Sequence, residues 1–186
     1  RQQEKIERAQ NLCHVNFGFF VGATADNAHR LRQINPSIVA GVKLFMGSST
    51  GSLQVEDPDA LLTVFEESRL PIMVHCEDTP MITAAMKEHQ ALYGADPHVR
   101  YHATIRSAEA CFKSTQQAIA LAKATQARLH VAHISTACEL DLFSPNDPLI
   151  TAEACLPHLL FTDADYERLG TRIKCNPSIK TAADRD

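Results

Sequence analysis

The chain contains no tryptophan and no CxxC pair among its cysteines. It also lacks a GxGxxG run, a GK[ST] phosphate loop and any apolar stretch near the roughly 20 residues of a membrane helix. Each absence removes a class. Without a CxxC pair, a zinc-finger or disulfide framework is the weaker reading. Without the two glycine-rich fingerprints there is no sequence case for a dinucleotide or nucleoside-triphosphate site. A basic excess is missing too: 18 Lys and Arg against 22 Asp and Glu leave a net charge of −4, so no basic footprint argues for nucleic acid. The polar start "RQQEKIERAQ" reads as a helix and carries no signal-peptide core.

What is present is ordinary for a globular protein. With 45% hydrophobic and 22% charged residues over 186 positions, the chain suits one domain with a substantial core. The six cysteines (Cys13, Cys76, Cys111, Cys138, Cys155, Cys175) mostly lie in apolar segments such as "IMVHCED" and "TAEACL". They read as reduced core thiols of a cytoplasmic protein.

Two kinds of segment alternate. Apolar, β-branched runs at 14–24, 37–47, 70–78, 127–136 and 148–156 predict five strands. Between them "TADNAHRLRQI", "DPDALLTVFEESR", "PMITAAMKEHQALYG" and "SAEACFKSTQQAIALAKATQ" have helical spacing. Asp57-Pro58 and Thr79-Pro80 each offer a cap ahead of a proline, and Ser107 offers a plainer one. Such alternation predicts α/β architecture: a parallel sheet covered by helices. Both a doubly wound sheet and part of a (β/α)8 barrel fit, though a complete barrel takes about 250 residues. The ending "TAADRD" looks like a helix start, so the chain reads as a segment of something longer.

Three polar residues interrupt consecutive strands near their C-terminal ends: Lys43 in "GVKLFM", His75 in "IMVHCED" and His133 in "HVAHIST". That edge is where parallel α/β folds assemble sites, and strands about 4.8 Å apart let side chains converge. Imidazole is a common zinc ligand. Burial pushes a lysine toward its neutral amine, which can capture carbon dioxide as a carbamate and so become an anionic ligand able to bridge two metals. The plainer alternatives stay open at this point: histidines bonded within the core, and a Lys43 that reaches the rim or pairs with Glu77. Glu77 and Asp78 are also candidate acceptors for an imidazole N–H, or simple helix starters. His14, His29, His89, His98, His102, His130 and His158 read as surface or packing residues. The "GSSTGS" loop at 47–52 reads as a flexible turn over the site, with Ser48 or Ser49 unsuited as nucleophile for want of a triad context.

Taken together and in order, "GVKLFMGSSTG", "IMVHCED", "HVAHISTA", "TAEACLPHLLFTD" and "KCNPSIK" resemble the dihydroorotases of the cyclic-amidohydrolase superfamily. Dihydropyrimidinases and allantoinases share much of this set, while "IKCNPSIKT" leans toward dihydroorotase. The resemblance implies a partial (β/α)8 TIM barrel, about strands 3 to 7, with residues 1–186 forming one incomplete barrel domain whose first, second and last strands lie outside the chain. It implies two zinc ions bridged by carboxylated Lys43, with His75 and His133 on one metal and Asn176 against the substrate. The implied reaction is reversible interconversion of dihydroorotate and N-carbamoyl-aspartate in pyrimidine biosynthesis. Alternatives are a hydantoin, dihydropyrimidine or allantoin hydrolase, or a non-catalytic scaffold paralogue. The His-x-His, the substrate-binding arginine and the proton-carrying aspartate of the family are absent from these residues. Ser178 stands where the family usually has a second proline. The implied partner is a small cyclic ureide, with a homodimer one open assembly state.

Overall fold

A computed structural model describes residues 2–47 and 53–186. In chain order the elements are α1 (Gln2–Leu12), β1 (Phe20–Gly22), β2 (Gly41–Met46), α2 (Pro58–Glu67), β3 (Ile72–Cys76), α3 (Thr79–Tyr93), α4 (His102–Ile105), α5 (Ala108–Thr125), β4 (Leu129–Val131), α6 (Ala137–Leu140), β5 (Ile150–Ala152), α7 (Leu156–Leu160), α8 (Tyr166–Leu169) and α9 (Ala182–Arg185). The strands form one parallel sheet in the order β1-β2-β3-β4-β5. Consecutive order decides between the two architectures left open by the sequence. A doubly wound sheet reverses direction at a switch point, whereas barrel strands add one after another. The fold is α/β, a partial barrel wall with helices on one side.

Strand alternation divides the wall into two faces. Val42, Leu44 and Met46 of β2, Ile72, Val74 and Cys76 of β3, and Leu129 and Val131 of β4 are buried against helices, joined by Leu61, Val64 and Phe65 of α2 and Ala118, Ile119 and Ala122 of α5. The opposite face carries a row in register across the sheet: Gly22, Lys43, Met73, His130, Thr151.

Helix starts follow local chemistry. Asp57 accepts from the Ala60 amide at 2.8 Å, and Ser107 accepts from the Ala110 amide at 3.3 Å. The α3 cap differs from the Thr79-Pro80 expectation. Asp78 is the cap, accepting from the Met81 amide at 2.9 Å, with Thr79 as the first helical residue. A carboxylate caps well, and Pro80 in the first turn removes an N–H that has no helical partner. The expected helix over 24–34 is a 3-10 helix at Ala28–Gln33. Residues 48–52, most of the "GSSTGS" loop including Ser48 and Ser49, lie outside the described residues.

All six cysteines are free thiols, but only Cys76 and Cys111 are buried; Cys13 and Cys138 are exposed, which corrects the expectation of core positions. Cys13 follows the end of α1 and Cys138 sits in the single turn of α6, so neither has a layer above it. No helix among the described residues is long and apolar enough to cross a membrane.

Candidate metal centre

His75 sits one residue from the end of β3, with its ring on the face away from the helices. Its side chain is held from behind. Nε2 lies 2.9 Å from Glu77 Oε2, and Glu77 is fully buried. Burial alone would raise the Glu77 carboxyl. The hydrogen bonds from His75 and Arg106, with the Arg106 charge, outweigh it and hold the carboxyl down to about 2. An ionised carboxylate only accepts, so His75 carries its proton on Nε2 and turns the Nδ1 lone pair forward.

That lone pair meets His133. Nδ1 of His75 and Nε2 of His133 are 3.1 Å apart, with the rings edge-on at 75°. His133 lies two residues beyond β4. Plain alternation would send it toward the helices with Leu129 and Val131, because His130 takes the open face. A left-handed backbone at φ 45° breaks the alternation and turns the ring toward His75. Burial, then the neighbouring His75 and Lys43 charges, hold His133 down to about 4, so its ring is neutral at pH 7. Its Nδ1 is buried with no hydrogen-bond partner among the described residues.

Lys43 lies in mid-strand, opposite Met73 and one step below His75 on the same face. This corrects the expectation of a place near the C-terminal end of the strand. Its Nζ lies 4.9 Å from the ring centre of Phe45, two residues closer to that edge. Burial lowers the Lys43 pKa, opposed by Cys76 and Glu153. Glu77 is engaged by Arg106 and His75.

These residues suit a divalent metal. Two nitrogens on one tetrahedral zinc at about 2.0–2.1 Å stand about 3.3–3.4 Å apart, close to the spacing seen between these rings. Both imidazoles are presented with their ligand nitrogens facing, and one is oriented by a carboxylate as metal-binding histidines usually are. Among the described residues, no group of three or more His, Cys, Asp or Glu side chains is clustered to hold a metal ion. The chain offers two imidazoles and an amine, which is part of a shell.

Asn176 is exposed; its Oδ1 accepts from His102 Nε2 at 3.1 Å. The buried His102 also donates to the Cys175 carbonyl at 2.9 Å, which agrees with a packing role for that ring. His130 contacts Thr151 at 2.9 Å and Glu153 at 3.4 Å on the open face. Arg106 was missed by sequence reasoning. It follows α4, and nothing in "YHATIRS" marks it apart from a charge beside an isoleucine. A cavity of about 700 Å³ bounded by Tyr93, Tyr101, Arg100 and Lys174 is lined by none of the candidate ligands.

Comparison with known proteins finds relatives that share the sequence and the fold. An allantoinase from Rubrobacter xylanophilus is 30% identical over 185 residues, covering 95% of this chain and 40% of that protein. A dihydroorotase from Methanosarcina mazei is 27% identical, covering 96% of this chain and 41% of that protein. The L-hydantoinase (dihydropyrimidinase) structure from Arthrobacter aurescens superposes with a TM-score of 0.90 over 99% of this chain and 42% of its own, at 24% identity, a likeness of fold. The chain belongs to the cyclic amidohydrolases. No family model matches it. This amidohydrolase segment spans about 40% of the length of the curated relatives it matches, and those relatives are hydrolases of cyclic amides.

Proposed function

We propose that the complete protein is a zinc-dependent cyclic amide hydrolase that interconverts dihydroorotate and N-carbamoyl-aspartate in the cytoplasm, and that residues 1–186 form one incomplete barrel domain of it. The observation that carries this reading is the 3.1 Å approach of His75 Nδ1 and His133 Nε2, with His75 Nε2 2.9 Å from the Glu77 carboxylate on the far side of the ring. His75 and His133 would hold one metal. Lys43, with its ammonium disfavoured by burial, would add carbon dioxide through its neutral amine, release one proton and so offer a carbamate as a further ligand. A zinc ion held by these residues would lower the pKa of a bound water and polarise the scissile carbonyl. Asn176 contacts the ring, steadied by His102. No residue described here is assigned the proton transfer; that role, with the remaining ligands, falls to strands beyond this segment.

Allantoin is a second reading. It is favoured by the 30% identity to a protein named allantoinase. Metal analysis of the complete protein is the first test. Wild type should hold two zinc ions and Lys43→Ala should lose at least one; retention of both would end the bridging role. Rates with dihydroorotate, allantoin and hydantoin then rank the rings. Faster turnover of a ring without a carboxylate would replace dihydroorotate as substrate.

A further inference from the structure

A line of buried polar side chains runs behind the candidate metal centre and ends in the segment that carries Asn176. Glu77 receives His75 Nε2 at 2.9 Å on Oε2. Arg106 grips the same carboxylate with two groups, Nε to Oε1 at 2.9 Å and a terminal nitrogen to Oε2. The Arg106 carbonyl accepts from Ser178 Oγ at 2.9 Å. Lys180 Nζ donates to Ser178 Oγ at 2.8 Å and to the Ser178 carbonyl at 3.2 Å. Every member is nearly sealed from water: His75 4% exposed, Glu77 0%, Arg106 7%, Ser178 0% and Lys180 6%. On its far side the segment is anchored by the fully buried Tyr166, whose hydroxyl accepts from the Ile179 amide at 3.2 Å.

Three charged side chains are expensive to bury, and well-packed apolar residues of similar volume would cost less. What the ionic set adds is direction. A bidentate guanidinium–carboxylate pair has one preferred plane, which fixes the carboxylate that fixes the imidazole. The same arginine, through its main chain, holds Ser178, two residues from Asn176. A proline at 178 could take part in neither hydroxyl contact.

Building on the proposed metal centre, we infer that Arg106 is a positioning residue which couples the segment at 175–180 to the metal ligand His75. The orientation of the imidazole and the placement of the substrate contact are therefore set by one continuous chain of hydrogen bonds, and disturbing either end is felt at the other.

The test uses the complete protein loaded with cobalt(II) as a spectroscopic substitute for zinc. Arg106→Gln removes the two-pronged grip on Glu77. It should weaken cobalt and zinc binding at one site by about 10- to 100-fold, measured by competition with a chromophoric chelator, and shift the visible d–d bands. Arg106→Lys keeps the charge with a single prong and should fall between. Ser178→Ala leaves every residue touching the metal in place, yet it should also shift the d–d bands and raise KM for the ring substrate more than it lowers kcat. Wild-type affinity and bands in folded Arg106→Gln would overturn the inference. If that variant does not fold, unchanged bands and KM in Ser178→Ala overturn it equally. Wild-type protein that binds no cobalt at all would instead refute the metal centre itself, a result distinct from either.

Discussion

Leu44 and Lys43 are neighbours in one strand and belong to different parts of the molecule. Leu44 is 0% exposed among the aliphatic side chains of β3, α2 and α5. Lys43 stands on the opposite face beside Phe45, in a row with Met73, His130 and Thr151. The helix-facing side holds the wall together through apolar burial. The other side carries Lys43, His75 and His130. A two-residue period lets one six-residue strand serve both ends without compromise, because adjacent side chains never share a face.

The sharpest way to break this division is to cut each neighbour back in the complete protein. Leu44→Ala should lower unfolding free energy by about 2–5 kcal/mol in urea titrations while the folded fraction keeps its metal. Lys43→Ala should do the reverse: metal content falls, while the stability of the metal-free protein changes by no more than about 0.5 kcal/mol. Comparable losses from both would mean the open face is as structural as the other.

Acid separates the faces next. Burial and the His75 and Lys43 charges hold His133 down to about 4 from its usual 6.5. Between those values the unfolded chain binds a proton that the folded chain refuses. Stability is therefore full above pH 6.5 and falls as pH drops toward 4. The urea midpoint of metal-free protein should decline across that window, and His133→Asn should flatten the decline. An equally steep profile in the variant would assign the effect to another group.

The smallest effect belongs to the surface. Cys138→Ser, on an exposed thiol, should change stability by no more than about 0.5 kcal/mol and leave metal content untouched. A larger change would place that thiol in the site's support.

Much of the fold was legible because its signals are local. Five apolar runs gave five strands, and Asp57 and Ser107 cap the helices they were expected to cap. Asp78 displaced Thr79 as a cap because two capping residues stood side by side and the carboxylate prevailed. Lys43, His75 and His133 stood out as polar interruptions of apolar strands. Arg106 could not: a buried arginine looks like a surface one until its partner Glu77, 29 positions earlier, is seen against it.

Residue order alone therefore determined the alternation of strands and helices, the apolar stripe behind each strand and the identity of three candidate ligands, since all of these depend on neighbours a few positions apart. Tertiary structure alone decided the consecutive strand order, the left-handed turn that swings His133 to the side of His75, and the buried path from Arg106 to Ser178 and Lys180. Those features arise from contacts between segments distant in sequence, where geometry depends on how the whole wall packs.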